Sequence, residues 1–168
     1  MIAQRPPRNA IRFRASALAD ESFLLGVYAT TRSAEMQLVP WTPEQKAAFV
    51  AQQFTAQKNH YEEFYPNCEF LIIELESEPI GRLYIDRGET EIEIIDIALL
   101  PQFQRLGIGR MLLEEILAEG KATGKLVRIY VENFNPARRL YDRLGFRHVD
   151  TNGVYHCLEW SVAAPEAQ

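Results

Sequence analysis

The sequence lacks the features that identify several classes of protein. No apolar run approaches the ~20 residues needed to cross a bilayer, and no apolar stretch follows the basic residues at the N-terminus, so neither a membrane span nor a secretory signal is expected. Neither of the two cysteines, Cys68 and Cys157, has the spacing of a metal site. They are predicted to be reduced thiols of a cytoplasmic protein that holds no metal.

An excess of basic residues is also missing. The chain has 18 Lys and Arg against 23 Asp and Glu, a formal charge of -5, which argues against a nucleic-acid partner. With 47% apolar and 24% charged residues over 168 positions, the composition is that of one globular domain. Residues 1–168 are therefore predicted to form a single domain, with the ordered part extending from about residue 9 to 162 and both ends frayed.

Apolar periodicity predicts seven strands and four helices. The strands are expected near 11–14, 69–75, 79–86, 89–100, 126–131, 146–150 and 154–160. The helices are expected at 18–33, 43–59, from 108 to about 120, and from a cap at Asn135 to Gly145. The order β-α-α-β-β-β-α-β-α-β-β indicates an α/β domain with a single mixed, mostly antiparallel sheet and helices on both faces.

The segment between the long strand at 89–100 and the helix that follows it carries the clearest chemical signal. Gly107 and Gly109 permit a sharp turn and leave the first amides of the helix open to an anion, to which Arg105 and Arg110 add charge. A P-loop is excluded because Arg110 follows Gly109, and a Rossmann fingerprint because Leu112 occupies the place of its third glycine. The alternative is a tight turn that binds no ligand.

Two stretches in this region resemble one family. The run IALLPQFQRLGIG, residues 97–109, is similar to the (Q/R)-x-x-G-x-(G/A) signature of the GNAT superfamily of acetyl-CoA-dependent N-acetyltransferases. The run VENFNPARRLYDRLGF, residues 131–146, resembles the family's N-x-x-A-x-x-x-Y-x-x-x-G-F. Seven residues before Tyr141, where the family has Asn, this chain has Phe134, with Asn133 and Asn135 on either side.

The resemblance implies that acetyl-CoA is the cosubstrate. Its pyrophosphate would bind the amides of residues 105–110, and its pantetheine arm would pair with the backbone of residues 97–99 as an added strand does. Asn133 and Asn135 both stay candidates for a cofactor contact, and Asn135 has the alternative role of a helix cap. The cofactor-binding residues implied are Ile97, Ala98, Leu99, Gln104, Arg105, Leu106, Gly107, Ile108, Gly109, Arg110, Asn135, Ala137 and Tyr141.

The resemblance also implies direct attack of an amine on the thioester, with two proton transfers. Tyr141 matches the tyrosine that protonates the departing thiolate. Glu93 stands where some members have a basic glutamate, and Glu91 could act through a water; both also fit solvent-facing strand positions. By simple alternation Asp96 is expected on the opposite face of the strand, and His148 and His156 are expected to be structural.

The acceptor is the least determined part of the prediction. The resemblance places its pocket against the first two helices and the closing hairpin. We expect a primary amine of a small molecule; a protein N-terminus or lysine, or a non-catalytic acyl-CoA-binding module, are the alternatives. A homodimer is left open, because the candidate wall residues could instead pack in the core or between subunits. These wall residues are Met36, Trp41, Tyr61, Phe64 and Tyr65.

Overall fold

The structure, a computed structural model, describes residues 4–162. The tail predicted to fray, from Ala163, lies outside this range. None of the helices in the described part of the chain is long and apolar enough to cross a membrane. The strands are β1 Ile11–Ala15, β2 Glu69–Leu75, β3 Glu78–Arg87, β4 Glu91–Leu99, β5 Leu126–Glu132, β6 Arg147–Asn152 and β7 Tyr155–Trp160. The helices are α1 Glu21–Gln37, α2 Pro43–Phe64, α3 Ile108–Thr123 and α4 Arg138–Leu144.

The seven strands form one sheet in the order β1-β2-β3-β4-β5-β7-β6. Every neighbouring pair is antiparallel except β4 and β5, which are parallel and joined through α3. The predicted fold class and element order are therefore confirmed. Because β4 and β5 are parallel, the loops that lead from them into α3 and α4 both start at the same edge of the sheet.

Helices pack against both faces of the sheet. On one face, α3 and α4 cover a large apolar cluster that includes Ile92, Ile94 and Leu112. On the other face, α1 and α2 cover a smaller cluster in which Tyr28 and Phe54 pack near Tyr84. Both faces of the middle strands are thus buried, which explains their nearly continuous apolar sequence.

The helix starts follow the sequence signals at α2 and depart from them at α4. Thr42 and Gln45 form the predicted capping box, with Thr42 Oγ1 accepting from the Gln45 amide at 3.2 Å. The prediction that Asn135 directly caps α4 is wrong by two residues, because the residue before the helix is Ala137 and the helix begins at Arg138. Asn135 Oδ1 instead accepts from the Ala137 amide at 2.8 Å, which stabilises a turn before the helix.

A bulge in β4 changes which side chains share a face. Ile94 pairs with Ile85, and the next pair is Asp96 with Tyr84, so Ile95 is an extra residue. Side chains beyond the bulge are shifted by one in the alternation. The prediction that Asp96 faces away from Glu93 is therefore wrong, and both point to the α1/α2 side of the sheet.

Candidate functional site

The two parallel strands separate at their carboxyl ends. Residues Glu91–Ile94 of β4 pair with Leu126–Ile129 of β5, and the pairing stops there although β4 continues to Leu99 and β5 to Glu132. The loops into α3 and α4 leave from this same edge. Crevices at the carboxyl ends of parallel strands are the usual ligand sites of α/β sheets. This split is the centre of the candidate site.

The loop before α3 is built to expose backbone amides. Gly107, the residue before the helix, is left-handed with φ +79°, and Arg105 has φ +61°. No side chain caps the helix and no acidic residue lies in its first turn. The first amides and the positive end of the helix dipole are thus available to an anion. Leu106 packs against the core and Ile108 is buried within it, so these two residues offer only backbone to a ligand.

Gly109 leaves space in front of these amides. A Cβ added at Gly109 would meet no atom of a distant residue within 4 Å. The Arg110 guanidinium turns back to Glu114 at 2.8 Å, and Arg105 is exposed. An open approach, uncapped amides and nearby cations fit a phosphate group, so the loop fits the pyrophosphate of CoA.

The edge of β4 that faces the split is free to accept a further strand. Ile97, Ala98 and Leu99 pair with β3 on one side only. On the open side, Gln104 Nε2 donates to the Leu99 carbonyl at 2.9 Å. The predicted contact residues 97–99 therefore present backbone groups to the split, as pairing with a pantetheine arm requires.

Tyr141 is buried beneath this edge. Its side chain is 3% exposed and its ring packs edge-on to Phe146, with centroids 5.6 Å apart. The predicted inward orientation is confirmed. The Tyr141 hydroxyl is not sealed from solvent, and it donates a hydrogen bond to no described residue. Burial, with a smaller effect from Asp96, raises the pKa of Tyr141 above its ordinary value, so the phenol stays protonated at neutral pH.

The two glutamates predicted as base candidates have different surroundings. Glu91 is held by Arg128 at 3.0 Å, and Arg128 also binds Glu159 at 2.6 Å. Glu93 is half-buried, and the Tyr65 hydroxyl donates to it at 3.4 Å. Burial, and next the charge of Glu91, raise the pKa of Glu93 above its ordinary value. Glu93 is therefore the better proton acceptor of the two.

An ion pair that the sequence analysis missed lies beside the bulge. Arg82 of β3, only 2% exposed, binds the Asp96 carboxylate and donates to Gln57 Oε1 at 3.0 Å. Its guanidinium also lies 4.9 Å from the Tyr84 ring centroid. Its Nε is sealed from solvent without an acceptor. The sequence signal for this ion pair was Arg82 itself, a charged residue inside the otherwise apolar run of β3.

Two cavities flank this ion pair on the α1/α2 side of the sheet. One, of about 340 Å³, has Arg82 and Tyr61 among its walls. The other, of about 360 Å³, lies at the end of β5 and is called the β5-end groove here. The walls of this groove include Tyr28, Arg32, Glu35, Glu132, Phe134, Val154 and Tyr155.

The predicted acceptor residues are not brought together in one wall. Tyr61 lines the first cavity, and Tyr65 contacts Glu93. Trp41 packs on Phe49, which lines the β5-end groove, whereas Met36 packs in the smaller core. Phe64 is exposed and stacks on His60, with centroids 4.6 Å apart.

The two histidines of the closing hairpin contact the same residue. His148 and His156 lie on the closing hairpin and both contact the Thr151 hydroxyl, at 2.8 and 3.2 Å. Their role as surface or structural residues stays a prediction. Within residues 4–162, no three His, Cys, Asp or Glu side chains are grouped so that they could hold a metal ion.

Comparisons with known proteins agree with this geometry. The model of the Acetyltransferase (GNAT) family matches residues 33–146. The [ribosomal protein bS18]-alanine N-acetyltransferase of Haemophilus influenzae is 32% identical over 114 residues, covering 67% of this chain and 76% of the relative. An N-alpha-acetyltransferase of Sulfurisphaera tokodaii is 29% identical, covering 58% and 66%. The fold matches the PaiA N-acetyltransferase of Thermoplasma acidophilum in complex with coenzyme A, at TM-score 0.65 and 21% identity over 90% of this chain and 99% of that one.

Proposed function

Since the chain belongs to the GNAT acetyltransferase family and is an acetyl-CoA-dependent N-acetyltransferase, we propose that its acceptor is the α-amino group at the N-terminus of a peptide or protein. The observation that carries this proposal is the β5-end groove, which lies beside the split and is bordered by exposed apolar side chains. The relative from H. influenzae is named an alanine N-acetyltransferase and the one from S. tokodaii an N-alpha-acetyltransferase. Both names support an α-amino group as the acceptor. They favour it over the small molecule expected from sequence.

The rim of the groove suits a polymer. Phe134 is 94% exposed and Val154 is 59% exposed, so both would gain apolar contact from an extended partner. A small-molecule site normally encloses most of its ligand. A peptide can leave most of its length in solvent while its first residues occupy the groove.

The charges of the groove suit an ammonium group. Arg32 binds Glu35 at 3.0 Å and Glu132 at 3.1 Å, so two carboxylates share one cation. The excess negative charge attracts a protonated amine at the end of β5. The rings of Tyr28 and Tyr155 line the same groove and can contact the first side chain of the peptide.

Two side chains are assigned to proton transfer. Glu93, whose raised pKa lies nearer neutral pH, accepts a proton from the ammonium through a chain of waters, because it pairs with Arg128, four residues before Glu132 of the groove. Tyr141 donates its phenolic proton to the departing thiolate. Burial raises the pKa of both the phenol and a thiolate beside it, so the transfer stays nearly balanced. Acetyl-CoA supplies the thioester, while residues 105–110 hold its phosphates.

The proposal is tested by comparing acceptors at fixed acetyl-CoA, with free thiol release as the readout. One hexapeptide has a free Ala α-amine and an internal Lys; its matched control has the same sequence with a formylated N-terminus, so that the Lys side chain is its available amine. Spermidine and free alanine represent small amines. We expect kcat/KM for the free N-terminus to exceed the others by at least about tenfold.

Faster turnover of spermidine or alanine would favour a small-molecule acceptor instead. Equal turnover of the free and the formylated peptide would indicate a lysine acetyltransferase. Acetyl-CoA binding without turnover of any acceptor would favour the acyl-CoA-binding module.

A further inference from the structure

The segment before β1 reaches the loop that precedes α3. Residues 4–10, called the N-terminal arm here, lie along α3. A Cβ added at Gly107 would lie 3.2 Å from Cδ, 3.5 Å from Cγ and 3.6 Å from Nε of Arg5. The Arg5 side chain therefore crosses directly over the residue that precedes α3, and a side chain at position 107 would displace it.

Contrary to the expectation that the chain before residue 9 is frayed, the arm contacts the body of the protein through Arg8. Arg8 binds Glu115 of α3 and donates Nη1 to the Ile11 carbonyl at 2.6 Å. Its guanidinium also lies 5.7 Å from the Phe13 ring centroid. Pro6 and Pro7, which have restricted φ angles, connect this anchor to Arg5. Arg5 is thus presented to the loop by a stiff segment.

The position of Arg5 has an electrostatic consequence. A cation beside the N-terminus of a helix is repelled by the helix dipole, and α3 has no acidic residue in its first turn to offset this. Arg110, the cation within that turn, forms an ion pair with Glu114. A bound anion would turn the repulsion into attraction, because it would be shared by the amides and the guanidinium.

We propose that Arg5 binds a phosphate oxygen of acetyl-CoA, so that the N-terminal arm forms the second side of the phosphate site. A planar guanidinium suits phosphate because it can donate two parallel hydrogen bonds. Arg5 is a binding residue and takes no part in proton transfer. The inference rests on acetyl-CoA binding at the loop and is independent of the acceptor.

Calorimetry on the full chain tests this assignment. We compare wild type, Arg5→Gln and Arg12→Gln, a matched loss of one exposed arginine on β1. The ligands are acetyl-CoA, 3′-dephospho-acetyl-CoA and S-acetylpantetheine, the last measured by competition. Arg5→Gln is expected to weaken acetyl-CoA binding about tenfold and S-acetylpantetheine not at all, whereas Arg12→Gln stays within about twofold for each.

The dephosphorylated ligand identifies which phosphate Arg5 binds. A loss that persists with it assigns the pyrophosphate, and a loss that disappears assigns the 3′-phosphate; both support the proposal. Binding of acetyl-CoA by Arg5→Gln that equals or exceeds wild type overturns it, as does an equal loss for S-acetylpantetheine. Thermal unfolding of each variant verifies that the fold is intact. Failure of the peptide assay would leave these results unaffected.

Discussion

Replacing Gly109 by Asp separates ligand binding from stability, because the two effects have opposite signs. Gly109 is the second residue of α3, and a Cβ there meets no distant atom within 4 Å. Replacing a helical glycine by Asp stabilises a helix by about 0.3 kcal/mol, and the negative charge in the first turn adds about 0.3–1 kcal/mol. The free energy of unfolding of the variant should therefore equal or exceed that of wild type.

Acetyl-CoA binding should weaken at the same time. The new carboxylate would lie roughly 5 Å from a pyrophosphate held by the loop. With an effective dielectric constant of about 40, each pair of charges at that distance repels by about 1.7 kcal/mol. Two phosphate charges, reduced by salt screening, leave at least about 2 kcal/mol, or roughly a thirtyfold loss of affinity.

The assay is calorimetric titration with acetyl-CoA, paired with thermal unfolding of the ligand-free protein. Gly26→Asp is the matched control, since Gly26 lies in α1 and a Cβ there also meets no distant atom within 4 Å. Gly109→Ala separates the added Cβ from the added charge. An unchanged affinity in Gly109→Asp would show that the loop is only a turn into the helix.

Three further substitutions test the assigned roles. Glu93→Gln should lower kcat/KM mainly at neutral pH, with recovery toward pH 9 as free amine accumulates. Because burial raises the pKa of Glu93, the charged form destabilises the fold, so this variant should unfold at a higher temperature than wild type at pH 7, a difference that disappears below the ordinary glutamate pKa. Tyr141→Phe should reduce turnover by ~10 to 1000-fold with acetyl-CoA affinity and melting temperature nearly unchanged; turnover within twofold of wild type would contradict its role. Asp96→Asn should lower the free energy of unfolding by about 3 kcal/mol in denaturant titration, because it leaves the Arg82 charge buried without a counterion; a loss under 1 kcal/mol would refute this.

Local sequence signals were sufficient to predict the strands, the helices and the loop before α3. The capping box at Thr42, the glycines of the loop and the inward stripe of α4 act through neighbouring residues, so their geometry follows from spacing. The start of α4 was misplaced because Asn135 bonds to the amide of Ala137 within a turn, which competes with its role as a helix cap. The proton-transfer roles of Glu93 and Tyr141 stay predictions.

Contacts between distant segments could not be derived in this way. Arg82 binds Gln57 of α2 and Asp96 of β4, and the Arg5 side chain crosses Gly107 more than a hundred residues away. Periodicity assigns a residue to a face of its own element and does not indicate which element covers that face. The β5-end groove has the same limitation, since its walls come from α1, α2, the end of β5 and the closing hairpin.

The bulge at Ile95 combines a local sequence signal with an effect on distant contacts. In the run EIEIIDIAL of β4, the alternation of acidic and apolar residues breaks at the adjacent Ile94 and Ile95 and then resumes. Without an extra residue there, the Asp96 carboxylate would point into the α3/α4 core, a cost of several kcal/mol without a partner. With the bulge, Asp96 meets Arg82 while Ile97 and Leu99 return to that core. The pairing of β4 with β5 ends at Ile94, directly before the bulge, so the irregularity that keeps a charge out of the core also stands where the two strands separate.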